Sequence, residues 1–595
     1  MKKVLALILV LAFSLSACSF GGTKIAEKPQ HDGMDYDVIV VGGEPEGVAA
    51  AVSAARNGMK TLLIEDDEAL GGLMTLGELN FIDMCEGRDG TLLTQGIFKE
   101  FYDKVGGTAF DIEKAKAVFL AMVEDEPNLD LLLNTEVTAP ILDADTLTGV
   151  SVSTDGAEKE YLASVIIDAT ADADLAAAAG VPYTFAGEDI GEKDRQMGVT
   201  LVFTLSGVDW QKVQDYLQND DNAGTGATDK AAWGYTKEGY AYEPKDTLMR
   251  LRGFNIARQD NGNVLLNALI IFGVDVLDEE SKQAGIARGQ EELAYIVPYL
   301  RENCVGFENA ELVSTAEQLY VRESRHIIGK YQLTIDDVLE NRDCADKIAI
   351  GGYPVDVQPT ATQTYGTVIG NPDRYAISYG CLVPEKIENL LVVGRSASYK
   401  SLAAGSARVI PLGMACGEAA GVAAAYAVNN DIAPSAIYGD EQAIAAIQKT
   451  LRAQGAYLED FDLPEEVMSH WAYSGVKTLR SLGLLDGGYN NDYGLDNELG
   501  KWKFQNMFNK TLDKTGIEHK YYEVNDNPTC AEIVAAAADA TGCQSTNYAE
   551  QIAYLSDLGV IDETLKSHFA DSAKRPQVAE TVMLTANVYN SMCSK

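Results

Sequence analysis

Apolar residues run without a break from Val38 to Val41, and a strand is predicted over Asp37–Val41. A glycine-rich turn follows. Small residues from Glu46 to Asn57 then read as a helix stopped by Gly58, and a second apolar run covers Thr61 to Glu65. Strand, turn, helix and strand in that order open a doubly wound sheet. Alternating strand and helix signals continue to about Ala179. From Val181 to Leu319 aromatics and polar loops take over, including the soft stretch Asn219–Lys230, as in a domain inserted for a substrate. Motif-bearing segments return at Tyr320 and last to about Asn430, and a helix-loop-helix rhythm fills Leu463–Lys595. The expected fold is α/β. A doubly wound, Rossmann-like nucleotide-binding domain lies in two parts, 36–180 and 320–430. An α+β substrate or cap domain covers 181–319, a helical linker 431–462 and a mainly α-helical domain 463–595.

The first residues follow a different logic. Lys2 and Lys3 precede an apolar run from Val4 to Phe13, and Leu15-Ser16-Ala17-Cys18 closes it. A basic start, an apolar stretch and small residues before a cut describe a secretory signal over 1–17. The tetrapeptide resembles a bacterial lipobox. That implies lipidation of Cys18, a linker over 18–35 and a membrane-anchored protein outside the cytoplasm, at the cell surface. No arginine pair precedes the apolar run, so export in the unfolded state is expected.

Composition narrows the partners. The 595 residues carry 47 Lys and Arg against 89 Asp and Glu, a net charge of −42, with 46% hydrophobic and 23% charged residues. Apolar chain of this amount suffices for large cores in roughly four folding units. So acidic a protein is a poor match for phosphate backbones, and no nucleic-acid partner is expected. Beyond residue 20 no stretch of 18 residues is both apolar and uncharged, so no mature transmembrane helix is predicted. None of the cysteines after Cys18 forms a C-x-x-C pair, which excludes thioredoxin-like, zinc-ribbon and ferredoxin-type chemistry. Cys530 and Cys543 are the local pair best placed for a disulfide. Only His326 of five histidines lies among the motifs, so neither a metal site nor a Ser-His-Asp triad is expected.

The turn Gly42-Gly43-Glu44-Pro45-Glu46-Gly47 fits G-x-G-x-x-G at Gly42 and Gly47, with Glu44 at the middle glycine. The first glycine permits the tight turn and the last lets helix and strand approach. The middle one leaves room for a pyrophosphate, so the Glu44 side chain must turn away. Glu65, 23 residues beyond Gly42, ends the second strand where an acid accepts from ribose hydroxyls. Leu70-Gly71-Gly72-Leu73-Met74 follows directly. Asn389–Arg395 reads as a strand ending in Gly394, and Gly405–Pro411 leads into a helix of small residues from Leu412 to Ala427. The dipole and N–H groups at such a helix start suit the negative charge of a reduced flavin ring. A glycine- and alanine-rich helix packed close on a sheet is the alternative for this segment.

Together these blocks resemble the FAD-dependent oxidoreductases of the glutathione-reductase-like and succinate dehydrogenase/fumarate reductase flavoprotein group, over about residues 36–430. The resemblance rests on GGEPEGVAAAVSAARNG, LGGLMTLGELNFIDM, IIDATADADLAAAAG, VRESRHIIGKYQLT, and NLLVVGR followed by GSARVIPLGMACGEAAG. It implies FAD, with Gly42, Gly43, Glu44 and Gly47 at the pyrophosphate and Glu65 at the adenosine ribose. Val137 would be the backbone partner of adenine, and Gly394 and Arg395 would flank the diphosphate. Gly71, Gly72 and Ala169 complete the cofactor contacts, and Arg408 to Gly413 would reach the isoalloxazine. The resemblance also implies hydride transfer between a small organic substrate and flavin. No second G-x-G-x-x-G follows a strand, so a substrate or a separate donor or acceptor exchanges the electrons. Arg408, and after it Arg322 and Arg325, are the candidate catalytic cations, since arginine stays charged at any working pH.

Three positions depart from the pattern: Glu44, Ala171 where D-A-T-G puts glycine, and Gln358 where relatives often carry histidine. They keep open a catalytically inactive flavoprotein fold that serves as a surface binding module. Asn222–Thr228 resembles the acceptor of covalent FMN, but no FMN-binding domain surrounds it and a surface loop is the simpler reading. Non-covalent FAD is expected, since His326 is the one histidine among these blocks and none lies in the glycine turn or in the segments from Asn389 to Ala427. The tail resembles S-layer-homology repeats at His470-Trp471-Ala472 with Leu479–Leu485, and more weakly at Ile552–Val560 with Arg575 and Glu580. This implies contact with cell-wall glycan; a helical packing domain is the alternative.

Overall fold

The computed structural model describes residues 33–594, apart from 194, 223 and 362–365. The expected signal over 1–17 and Cys18 lie outside the described residues. Strands β1 (Tyr36–Val41), β2 (Thr61–Ile64), β3 (Leu129–Leu132), β4 (Thr135–Asp143), β5 (Thr146–Thr154) and β6 (Ala157–Asp168) form one sheet in the order β3-β2-β1-β6-β5-β4. The strand Leu390–Val392 joins it beside the end of β6. Val38 lies between Thr61 and Val165, in parallel register with both. The central strands are buried on both faces, which is why they read as unbroken apolar runs. β6 bends between two roles. Its first half pairs antiparallel with β5, and its second half runs parallel to β1.

Helix α1 (Pro45–Arg56) covers one face of this sheet and carries the long helix Ile410–Asn430 on its back. Gly413, Gly417 and Gly421 are four residues apart and make one bare stripe along that helix. A Cβ at Gly421 would lie 2.5 Å from the Ala50 carbonyl oxygen, and one at Gly417 would enter the Glu46 carbonyl. Ser53 Oγ donates to the Glu418 carbonyl across the same seam at 2.7 Å. The small-residue pattern is therefore a helix-crossing device, and the crossing brings the start of Ile410–Asn430 beside the glycine turn. This helix is apolar and long enough for a membrane span, but it lies buried in the core.

The inserted region forms a second sheet, in the order Glu311–Thr315, Val199–Ser206, Val264–Ile271, Met249–Arg258, Ala231–Gly234, Gly226–Ala227. The helix Glu279–Asn303 covers it with Leu293, Ile296 and Leu300. Residues from Ala472 to Met592 build a separate apolar cluster from six α-helices, Tyr473–Ser481 through Val578–Cys593. That region docks on the flavin half through charge. Arg480 is fully buried and bonds Asp336, Lys477 reaches Glu340 at 2.7 Å, and the Tyr473 hydroxyl donates to Glu340 at 2.8 Å. The expected Cys530–Cys543 disulfide does not form; both thiols are free. Cys530 opens the helix Cys530–Ala540 and Cys543 lies past its end. At about 1.5 Å rise per residue, that helix holds them some 16 Å apart.

Candidate active site

β1 hands over to α1 at Gly42, whose φ is 99°. A Cβ there would lie 2.6 Å from the Ala169 carbonyl oxygen, and one on Gly47 would enter the Gly42 carbonyl. The two outer glycines of the motif are thus required by backbone packed on backbone. Glu44 is the residue before α1 and turns its carboxylate to the Gly72–Met74 segment, where the Leu73 N–H donates to it at 3.3 Å. Gly72 leaves the space that this carboxylate fills. The Gly71 N–H donates to the Gly43 carbonyl at 2.8 Å and ties the segment to the turn. Glu65 points inward and accepts from the N–H groups of Gly43 and, at 3.0 Å, of Asp67. Burial, and then its neighbour Asp66, push its carboxyl up to about 9.

Two clefts meet above this turn. One has a volume of about 340 Å³ and is lined by Gly42, Asp66, Val137 and Thr170 among others. The other is narrow, about 50 Å³, and is lined by Ala169, Thr170, Gly394 and Arg395, then by Arg322 and Arg408. Thr170 belongs to both, so the two clefts adjoin over the C-terminal edge of the parallel sheet, where ligands of such sheets bind. Arg395 pairs with Asp172 at 2.7 Å, while its buried Nε has no hydrogen-bond partner among the described residues. Glu44 and Glu46 also line the second cleft. Burial raises the Glu44 carboxyl, with Arg395 opposing. Burial and then the charge of Glu44 push Glu46 up to about 8. At neutral pH Glu46 is therefore mostly protonated.

The Arg408 end is built from charge. Arg408 is buried; its Nη1 donates to the Tyr320 hydroxyl at 3.0 Å and its Nη2 to Asp356 at 3.4 Å. Gln358 Nε2 donates to the same Asp356 oxygen at 2.5 Å. The Arg322 guanidinium lies 4.0 Å over the Tyr320 ring and donates to the Gly198 carbonyl and Thr200 Oγ1. Among the described residues Arg322 has no carboxylate within ion-pair distance, and burial lowers its pKa.. Asp83 projects into the cleft, reached by water yet ringed by protein. Desolvation raises its carboxyl, and Arg408 pulls the other way. Behind this group Glu323 is buried, accepts from the Met197 N–H at 2.9 Å and is pushed up to about 7 by desolvation.

Arg408 and Arg322 thus come together, and Arg325 does not join them. It donates to the Asp172 carbonyl at 2.8 Å and to Asp174 at 2.7 Å, outside the cleft. Glu44, Val137, Ala169, Gly394 and Arg395 line the two clefts with Gly42. Gly43, Gly47, Glu65, Gly71, Gly72 and Gly413 lie behind them and hold the turn; Gly413 faces the Glu46 side chain. Ala171 keeps an ordinary backbone, the positive φ falling on Ala173 at 53°, so no glycine is needed there. Thr228 Oγ1 accepts from the Ala231 N–H at 2.9 Å, within a hairpin turn. Sequence reasoning did not single out Glu46, Asp83, Tyr320 or Asp356. Each sits in or beside a block that was recognised, but no spacing rule connects them.

The family described as FAD dependent oxidoreductase matches residues 37–451. Curated relatives match shorter stretches. A pseudooxynicotine dehydrogenase from Pseudomonas sp is 44% identical over 59 residues, 10% of this chain and 12% of its own. A digeranylgeranylglycerophospholipid reductase from Methanoculleus marisnigri is 26% identical over 212 residues, 33% of this chain and 48% of its own. The chain therefore spans less than half the length of these relatives. Among solved structures, a geranylgeranyl bacteriochlorophyll reductase-like protein from Thermoplasma acidophilum aligns at 15% identity and a TM-score of 0.35, over 71% of this chain and 84% of its own.

Proposed function

The chain belongs to the FAD dependent oxidoreductase family, and from that premise we propose that it moves a hydride between a small organic substrate and FAD at the Arg408 end of the cleft. The residues present fit the cofactor. Adjoining clefts lead from Val137 past the start of α1 to Arg408, and the buried Nε of Arg395, which lines the second, has no hydrogen-bond partner among the described residues. Burial keeps Glu46 neutral below about 8, so it can stand beside a phosphate without repelling it. FAD supplies the two-electron redox chemistry.

The protein supplies position, charge and a proton carrier. Arg408 holds an oxygen of the substrate and stabilises the negative charge that develops on it. Asp356, steadied by Gln358, fixes the guanidinium plane. When a substrate carbon gives up its hydride, its hydroxyl or amine gives up a proton. Asp83, which lines the cleft with Arg322 and Arg408, takes that proton and returns it in the reverse direction. The observation that carries this reading is the meeting of Arg408, Arg322, Tyr320, Asp83 and Asp356 at one end of the cleft.

Purified protein should be yellow and bleach with dithionite, and acid precipitation should release the chromophore. Anaerobic screening of small organic acids, amines and sugars should find a class that bleaches it. A colourless protein that takes up no FAD would sink the proposal. The residue pattern of the first 18 positions supports an exported, lipid-anchored protein, and the S-layer-homology-like blocks at His470-Trp471-Ala472 and Leu479–Leu485 support contact of residues 463–595 with cell-wall glycan rather than a helical packing role alone. Mass spectrometry of the mature N-terminus tests the anchor, and binding of the full chain to purified cell wall tests the tail.

A further inference from the structure

The loop Gly487–Asn491 belongs to the C-terminal region but is fastened to the flavin half. The Gly487 N–H donates to the Ile369 carbonyl at 2.8 Å. The Asn371 N–H donates to Asn491 Oδ1 at 2.7 Å, and Asn491 Nδ2 returns a bond to the Asn371 carbonyl at 2.8 Å. Asn371 Nδ2 also donates to the Tyr489 carbonyl at 3.2 Å. The segment receiving these bonds continues the strand Thr367–Val368, which pairs with Asp356–Val357 in the register Asp356 opposite Val368. Asp356 is the carboxylate on Arg408. Four hydrogen bonds therefore hold the Tyr489 loop against the segment that continues the strand paired with Asp356–Val357.

The Tyr489 ring is 67% exposed, and its hydroxyl has no hydrogen-bond partner among the described residues. Enough protein surrounds it that desolvation raises its phenol, and the charges of Asp356 and Asp83 raise it further.

We propose that Tyr489 forms the outer rim of the substrate cleft, so that the C-terminal domain supplies a specificity-determining residue to the reaction. A substrate that reaches from Arg408 to the rim would meet an aromatic face and one phenol donor. That suits an organic molecule with a flat ring and an acceptor oxygen distal to its reacting carbon. The inference rests on the cleft being the reaction site, as proposed above.

Two measurements on the full-length protein test it. Tyr489→Cys, in a Cys593→Ser background, is labelled with pyrene maleimide, and bleaching of bound flavin is followed with reduced benzyl viologen. The label should slow bleaching at least tenfold, while the same label at Tyr521→Cys, exposed elsewhere on the domain, leaves the rate unchanged. Equal rates at both positions overturn the rim assignment. Separately, 3-fluorotyrosine at position 489 is titrated by fluorine NMR, which needs no flavin. Asp83→Asn should shift its pKa downward; no shift overturns the inference. A flavin that resists bleaching in the unlabelled protein counts against the proposed function, and the Asp83 coupling then decides the rim assignment alone.

Discussion

The two ends of the cleft are made from different material. At the Gly42 end, backbone packs on backbone: the turn, the start of α1 and the Ala169 carbonyl leave no room for a Cβ at Gly42 or Gly47. At the Arg408 end, side chains do the work, with Tyr320, Asp356, Gln358 and Asp83 arranged around one guanidinium. The first end is intolerant and local. The second tolerates substitution in its fold but not in its chemistry, because charge rather than contact distance is what it provides.

The largest effect should come from the backbone end. Gly47→Val puts a branched side chain into the Gly42 carbonyl, at a cost above about 3 kcal/mol. The variant should purify without flavin or aggregate; a yellow Gly47→Val protein would break the contrast. At the charge end, Arg408→Ala should keep FAD and the fold yet reduce its flavin on the order of 10²-fold more slowly. Arg408→Lys should recover only part, since a point charge does not replace a planar fork. Stopped-flow reduction with a substrate from the screen reads both. Loss of FAD in Arg408→Ala would move the arginine to the cofactor-binding side of the comparison.

A smaller effect sharpens the roles around Arg408. Asp356→Asn keeps an acceptor but removes the charge that holds the guanidinium, and about tenfold loss in reduction rate is expected, equal to about 1.4 kcal/mol. Gln358→Ala should lose less than that. Wild-type rates in Asp356→Asn would show that Tyr320 alone positions the arginine.

The smallest effect is on pH and tests the backbone end again. Glu46 has a folded pKa of about 8, above its unfolded value, so the folded state holds the proton more tightly. Its contribution to stability is complete below the unfolded pKa and is lost as pH rises through about 8. His326, lowered to about 4 by burial, works in the opposite sense but below pH 6.5. Between pH 6.5 and 8 the protein should therefore lose stability, by about 1 kcal/mol from Glu46. Glu46→Gln should flatten that slope in thermal unfolding. An equal slope in the variant would assign it to Glu65 or Glu323.

The glycine turn, the parallel strands and the small-residue helix were legible because each is specified within one turn or one strand of chain. Buried strands show unbroken apolar runs, and close helix crossings show glycine every fourth residue. The same logic failed for Cys530 and Cys543, where proximity along the chain ignored the length of the helix between them. It left Arg325 equal to Arg322, although three residues of strand and turn send one guanidinium into the cleft and the other to Asp174.

Local periodicity and backbone sterics at a few glycines thus made the fold class legible, while the family and the cofactor followed from the resemblance of five sequence blocks to known flavoproteins. The grouping of residues 83, 320, 322, 356 and 408 and the inward turn of Glu65 were decided in three dimensions. Charge placement, burial and the pKa shifts that follow depend on which distant segments pack together, and no spacing along the chain encodes that.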